Sequence, residues 1–542
     1  MKRKYFIGLS LLSAFLLSLA WPANGFVPLL FIAWVPLLMV EDKFSSNAGK
    51  AAQKGLFAYA YLTFVVWNAL TTWWIWNSTG FGAIMAIGLN SLFMTTVFWL
   101  FHYTKRKLFQ NGKGHFILII YWMTWEWFHL DWDLSWPWLN LGNAFASQHT
   151  WIQWYEYTGT AGGTLWVLIV NILVFKILKL ILEKKTSQIT FKLQVASLSI
   201  ILLAPILISK MIYRNYQETG EKVEVVVVQP NFDPYTEQYE VPPEQVIERN
   251  LNLASAEISH ETKFVVSPES AIQEEIWMEL TDSSTGLQIV KSFAEAHPQL
   301  AVVIGASTFS HVPANHEDDP AARKFRRGDG YYFAHNTAFF VDSAGNFPFY
   351  YKSKLTPGVE MMPSWRLLRP LKNFAIDLGG TVGTLKTSDT RTVFTHRDGK
   401  SKVGTIICYE SIYGEFVAKF VLNGANLLFI ITNDGWWGNT PGHRQHLSFA
   451  RLRAIETRRS IARSANTGIS GFFDQRGDLF QATAYAQQAV IKQNLTLNDN
   501  ITFYVKTGDY LSRIAALISG LFALMTFVRM AIKPDFRKKS KG

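Results

Sequence analysis

"GTIICYES", residues 404–411, is a β-branched apolar run that ends on the only cysteine in a chain of 542 residues. A continuous apolar run of this kind reads as a strand buried on both faces of its sheet, and the polar residues after it mark the strand's end. Six further stretches read the same way: 223–231, 263–270, 300–306, 336–346, 426–434 and 459–474. "SAGN" at 343–346 and "QRGD" at 475–478 are turn signals suited to hairpins. Between the strands, 243–258 and 443–458 carry helical periodicity. Together they predict an α/β domain with a mixed sheet, large enough for its own core. The polar, Pro- and Gly-marked stretch 311–330 reads as a mobile surface loop.

What flanks this domain is different. Aromatic residues make up 15% of the chain, with 20 Trp and 40 Phe, while charged residues fall to 17%. That balance suits membrane spans joined to a soluble part. Apolar runs at 5–22, 26–41, 56–77, 81–102, 115–129, 161–182 and 193–210 predict seven spans, and 510–532 an eighth. The second and fifth are short for a crossing of about 20 residues. Nothing between Tyr213 and Lys506 is long enough to cross. The expected organisation is a membrane domain over 1–212, an outer domain over 213–506, and a final span with a basic tail over 507–542.

The basic residues sort by side. Lys2, Arg3 and Lys4 precede the first run, Lys105, Arg106 and Lys107 follow the fourth, and Arg537, Lys538 and Lys539 close the chain. No Lys or Arg occurs from Gly114 to Phe175. By the positive-inside rule both termini are expected in the cytoplasm and the domain over 213–506 outside. The net charge of +11 is then largely an orientation signal, and nucleic acid is not an expected partner. The first run also has the look of a signal peptide, but removing it would spoil the charge pattern, so an uncleaved helix is expected. The Trp-rich segment 130–157 is too polar to span and is expected at the outer membrane surface, as an aromatic belt or as the floor of a site. Glu126 is expected at that interface, solvated.

Three strand ends carry polar residues that a buried strand does not need: Glu269, Lys352 and Cys408. A cysteine is mostly thiol at neutral pH, so a nucleophilic one needs a base or a cation beside it. Glu269 can take its proton. Lys352 can stabilise the oxyanion formed on attack at a carbonyl, together with a backbone N–H near Tyr409. Each also has a plainer reading. A lone Cys at a strand end is usually inert core, Glu269 after "SP" can cap a turn, and Lys352 beside Lys354 can be a surface lysine. The sequence pattern alone does not bring the three together.

Here the chain resembles bacterial apolipoprotein N-acyltransferases, membrane-embedded members of the carbon–nitrogen hydrolase (nitrilase) superfamily. "SPESA" (267–271), "YYKSKLTPGVE" (350–360) and "ICYES" (407–411) resemble that family's glutamate, lysine and cysteine motifs. "TNDGWWG" (432–438) and "RQHLSFARLRAIETRRSIARSANTGISG" (444–471) resemble its downstream stretches. The resemblance implies an αββα nitrilase-like domain beside a multi-pass helical domain in the bacterial inner membrane. It implies Glu269 as base, Lys352 as oxyanion stabiliser and Cys408 as acylated nucleophile, with Glu360, Tyr409 and Glu410 in support. The implied reaction passes an acyl chain from a membrane phospholipid, through a thioester, to the α-amino group of a diacylglyceryl-cysteine on an apolipoprotein. No cofactor and no metal are implied. Trp436 and Trp437 can contact acyl chains, and Tyr239 is a loose counterpart of a tryptophan common in the family. The chain reads Pro357, Gly358, Val359, Glu360 where the family commonly has Pro-Phe-Gly-Glu.

Two other readings compete. A membrane-tethered amidase would use the same three residues with water as acceptor. A transporter or receptor with a non-catalytic outer module would need ionisable residues in mid-span; Lys176 and Lys179 lie close enough to a span end to snorkel.

Overall fold

The computed structural model describes residues 3–46, 50–109, 113–238, 240–313, 315–361 and 384–531. Apolar helices precede and follow an α/β domain, and four of them are long and apolar enough to cross a membrane: Gly80–Leu108, Tyr155–Leu182, Ile189–Asn215 and Tyr510–Ala531. Helices Arg3–Leu19 and Lys50–Thr72 pack beside them, and Phe116–Phe128 is a shorter apolar helix of 13 residues. The run 26–41 is not one helix. It forms a 3-10 turn over Val27–Phe31 and then a helix Val35–Ser46. Pro28 and Pro36 each fall in a first turn, where a missing N–H costs nothing, and each restarts the chain there.

The α/β domain holds two sheets, as the family resemblance implies, rather than the one mixed sheet read from the residues alone. In the first, Thr262–Val266 lies parallel between Lys222–Gln229 and Ala301–His311. Ala489–Thr496 and Tyr331–Val341 close it antiparallel on either side. In the second, Leu427–Thr432 lies parallel between Lys402–Ile407 and Ile461–Ala465. The stretch 459–474 is two antiparallel strands, because "NTG" at 466–468 turns the chain back to Gly471–Phe473.

Period-two alternation explains why two sheets form. Val225, Val227, Phe264 and Val303 face the second sheet, where the rings of Phe264 and Phe429 lie 5.3 Å apart. Val226, Val228, Val265 and Val302 face the other way, onto Ile247, Leu251, Leu287 and Val290 of helices Pro243–Ser255 and Thr285–Ala296. Strands with both faces apolar must be covered twice. Helices Gly414–Leu422 and Pro441–Thr457 cover the second sheet, completing an αββα sandwich. The described residues of the stretch 311–330 are largely exposed, with Arg323–Lys324 pairing at the sheet edge.

One core runs through the α/β domain into the helical bundle. The Trp-rich segment joins them as a buried wedge, not a surface belt: Trp138 is fully buried and donates through Nε1 to Gln445 Oε1 at 2.7 Å. Glu126 is buried as well, contrary to the solvated position expected. Its carboxylate accepts from Trp122 Nε1 at 3.0 Å, Leu141 N–H at 2.8 Å and the Thr164 hydroxyl at 2.6 Å, tying the wedge to two helices. Beneath it, helix Tyr155–Leu182 breaks at Gly159, where φ is +59°. A Cβ there would lie 2.3 Å from the Tyr504 ring. Gly159→Ala is therefore expected to lower stability by on the order of 1–3 kcal/mol. A drop in the thermal midpoint of the full chain in detergent checks this; an unchanged midpoint would refute the strain at this position.

Candidate active site

Cys408 stands at the end of Lys402–Ile407, where the chain leaves the sheet in a 3-10 turn over Cys408–Ile412. Its φ is +53°, a left-handed conformation that costs a non-glycine residue about 1–3 kcal/mol and that the surroundings must enforce. Glu269 lies in the loop after Thr262–Val266, close against Ala301–His311. A Cβ on Gly305 would fall 2.7 Å from Glu269 Cα, so glycine there lets the two backbones meet. Lys352 follows the edge strand Phe349–Tyr351, and its N–H donates to Asn336 C=O at 2.8 Å.

The structure brings the three together. Lys352 Nζ donates to Glu269 Oε1 at 3.0 Å and to Glu360 Oε1 at 2.7 Å, and the lysine is 2% exposed. Asn336 Nδ2 bridges the same two carboxylates at 2.8 and 3.3 Å, and Glu269 Oε2 accepts from Asn433 N–H at 3.0 Å. Burial alone would lower the Lys352 pKa, but Glu269 and Glu360 reverse this and hold the ammonium well above the ordinary lysine value. Burial, and then the charge of Glu269, push the Cys408 thiol well up, against the pull of Lys352. The resting residue is a neutral thiol next to a fixed carboxylate and a fixed cation.

Two cavities meet at Cys408. One, of about 200 Å³, is apolar and reaches into the bundle past Trp74, Met85, Leu89, Phe93 and Trp136. The other, of about 170 Å³, is the more polar of the two and holds Glu269, Lys352, Glu360, Asn336 and Gln238. Trp437 lines both, and Trp436 lines the polar one. The pair is anchored to the bundle: Asn77 Nδ2 donates to Trp437 C=O at 2.8 Å and the Ser78 hydroxyl to Trp436 C=O at 3.0 Å. Tyr239 lies outside the described residues.

The supporting residues hold the loops. Glu360 Oε2 accepts from Thr356 N–H at 2.9 Å, so the residue both pairs with the lysine and closes its own loop. Glu410 does not face the cavities. Its Oε1 accepts from the Tyr350 hydroxyl at 2.7 Å and Ser353 N–H at 2.6 Å, and its Oε2 from Ile407 N–H at 2.8 Å, lashing the lysine loop to the cysteine loop. The Tyr409 hydroxyl donates to Ser135 C=O at 3.0 Å, and its ring stacks on Trp136, which ties the cysteine loop to the wedge. Sequence reasoning missed Asn336 and Gln238. A polar residue opening the apolar strand 336–346 was the available signal for the first, and Gln238 offered none.

Residues 212–499 match the family model for carbon-nitrogen hydrolase, and 13–173 that for the apolipoprotein N-acyltransferase N-terminal domain. An apolipoprotein N-acyltransferase of Chlorobaculum tepidum is 30% identical over 541 residues, which cover 96% of each chain. The chain belongs to the apolipoprotein N-acyltransferase family. Relatives so named from Geobacter metallireducens and Allorhizobium ampelinum are 25% and 27% identical, covering 97% and 89% of this chain and 96% and 88% of theirs. This acyltransferase therefore couples a carbon–nitrogen hydrolase domain to apolar helices.

Two outcomes follow for the site. All the Glu410 contacts are donors, so Glu410→Gln puts an amide N–H against one of them and is expected to cost about 1–3 kcal/mol. Thermal unfolding beside activity checks this, and a variant as stable as the native chain would rule the strut out. Since the thiol is held neutral, alkylation of Cys408 by iodoacetamide should accelerate steadily from about pH 7 to about pH 9. A rate already level across that range would mean a resting thiolate.

Proposed function

We propose that Cys408 carries the acyl group this enzyme transfers, with Glu269 as general base and Lys352 as oxyanion stabiliser. The observation behind this reading is the position of the thiol: it opens both on an apolar cavity running into the bundle and on the polar cavity that holds Glu269 and Lys352. A chain-bearing ester in the first cavity puts its carbonyl where the second cavity's charges are.

The chemistry runs in two stages. Glu269 takes the thiol proton as sulfur attacks the ester carbonyl of a phospholipid. Lys352 has three N–H donors, two of them on carboxylates. When Glu269 is protonated, its hold on the ammonium weakens, and positive charge is freed toward the developing oxyanion. The S–C bond forms, the C–O bond breaks, and the proton passes from Glu269 to the departing glycerol oxygen, giving a lysophospholipid. In the second stage the α-amino group of a diacylglyceryl-cysteine attacks the thioester. Such an amine titrates at about 7.7–8.0, so a fraction is already free base. The N–C bond forms, the C–S bond breaks, and the amine's proton returns to sulfur by way of Glu269. The product is an N-acylated lipoprotein.

Glu360 fixes the ammonium, Glu410 and Tyr409 fix the loops, and Trp436 and Trp437 contact the lipid chains. Both substrates are lipid-borne, which accounts for the union of bundle and catalytic domain. The distribution of Lys and Arg supports an enzyme of the bacterial inner membrane with residues 213–506 on the periplasmic side and both ends in the cytoplasm. The hydrolase reading, with water as acceptor, is not favoured, since the full-length relatives are named as N-acyltransferases.

Incubated with phospholipid alone in detergent, the full chain is expected to gain a fatty-acyl mass that hydroxylamine removes, with release of lysophospholipid. Cys408→Ala is expected to gain none. Absence of both adduct and lysophospholipid from the native chain would overturn the thioester reading.

A further inference from the structure

Behind the thiol lies a buried chain of polar groups that the chemistry above does not use. The Cys408 carbonyl accepts from the Ser411 hydroxyl at 2.7 Å and lies 3.2 Å from His446 Nε2, which is itself 2.9 Å from the Ser411 oxygen. On the far side of the ring, His446 Nδ1 meets Asp434 Oδ1 at 2.9 Å, and Arg463 donates to Asp434 Oδ2 at 2.6 Å. Arg463 is in turn fixed by Ile469 C=O at 2.5 Å. None of the three side chains is more than 1% exposed. They come from the downstream stretches 432–438 and 444–471, which carry family resemblance but no assigned role in the reaction.

Burying an ion pair and a histidine is a poor way to gain stability, since apolar residues of like volume do as well or better. What the arrangement does achieve is orientation. A peptide unit is planar and trans, so its C=O and N–H point in opposite directions. Clamping the Cys408 carbonyl toward Ser411 and His446 turns the Tyr409 N–H the other way. It also holds Cys408 in its left-handed conformation, which an unrestrained residue would leave.

We propose that His446, fixed by Asp434 and Arg463, is a positioning residue that orients the Cys408–Tyr409 peptide so that the Tyr409 N–H faces the oxygen that becomes the oxyanion. The proposal rests on Cys408 being the acylated nucleophile. Of the two oxyanion donors already expected from the sequence, Lys352 is then set by the two carboxylates and the Tyr409 N–H by this buried chain. The Thr432 hydroxyl donates to Asp434 Oδ1 at 2.8 Å and so holds the carboxylate from the neighbouring strand. Trp138 and Trp437 lie 5.9 and 5.6 Å from the His446 ring, so the wall of the apolar cavity packs directly on the clamp.

The test separates orientation of the peptide from activation of the thiol. Alkylation by iodoacetamide needs the sulfur and its proton acceptor but no oxyanion site, whereas acylation by phospholipid needs all three. Native chain, His446→Gln, Ser411→Ala and Cys408→Ala would be compared in micelles of phosphatidylethanolamine and of phosphatidylglycerol. Acyl-enzyme formation is read by intact mass, alkylation by rate, and folding by thermal midpoint. His446→Gln is expected to acylate about 10–100-fold more slowly while alkylating within about threefold of the native rate. Acylation within about threefold of native would overturn the proposal, and so would alkylation that falls in step with acylation. Should His446→Gln fail to fold, Ser411→Ala decides: it leaves the His446–Asp434–Arg463 chain intact and removes one clamp on the carbonyl. It is expected to slow acylation about 3–10-fold with alkylation unchanged, and native acylation in it would overturn the proposal. If the native chain itself forms no acyl-enzyme in either micelle, the thioester reading fails and the positioning role fails with it.

Discussion

An ammonium buried between two carboxylates is the constraint on which the rest of this site depends. Taking Lys352 out of water would be costly alone, and leaving either partner unpaired would cost several kcal/mol more. The loops that carry Glu269, Lys352 and Glu360 must therefore close on one another within hydrogen-bond distance or not at all. Asn336, on the strand that both loops flank, meets both carboxylates, and Glu410 lashes the lysine loop to the turn that carries Cys408. Once the charges are paired, the thiol's place is set as well. Burial, and after it the charge of Glu269, hold it protonated at rest, in a cavity that Glu269 and Lys352 also line.

The same closure joins the catalytic domain to the bundle. Tyr409 is anchored on Ser135, Lys354 on Asp131 at 2.6 Å, and the backbone of Trp436 and Trp437 on Asn77 and Ser78. Of these residues Ser78, Ser135, Tyr409 and Trp437 line the apolar cavity, and Trp437 also lines the cavity that holds the charges, so the two share one wall. The Trp-rich segment makes this possible. Its rings are large enough to fill the gap between two domains, and their indole N–H groups find partners such as Gln445 rather than being left unpaired.

Much of the architecture was legible because it rests on local periodicity. Strands apolar on both faces require cover on both faces, and the runs over 223–231, 263–270 and 426–434 all form strands within a residue or a few of where they were read. What periodicity does not carry is the partition of strands into sheets. The residues alone predicted a mixed sheet, and only the family resemblance implied the two sheets that are found, because which strands pair depends on contacts between residues far apart in the chain. The run over 26–41 misled for a local reason: its hydropathy suits a helix, yet Pro28 and Pro36 interrupt it. Glu126 misled for a tertiary one, since a carboxylate near a helix end looks solvated until Leu141 and Thr164 are seen to enclose it.

The sequence by itself determined which reactive groups the chain offers: a single thiol at a strand end, with a glutamate and a lysine at two others. It also determined the union of that chemistry with apolar helices, since composition and hydropathy are properties of the chain. Only the tertiary structure decided that these three residues meet, that Glu360 and Asn336 complete the charge cluster, and that the thiol lies between an apolar and a polar cavity. That Glu410, expected in support of the site, faces away from both cavities and lashes two loops together was likewise decided there. The physical reason is that hydrogen bonds and ion pairs act over about 3 Å of space, and strands remote in sequence must first be packed by their apolar faces before such distances exist.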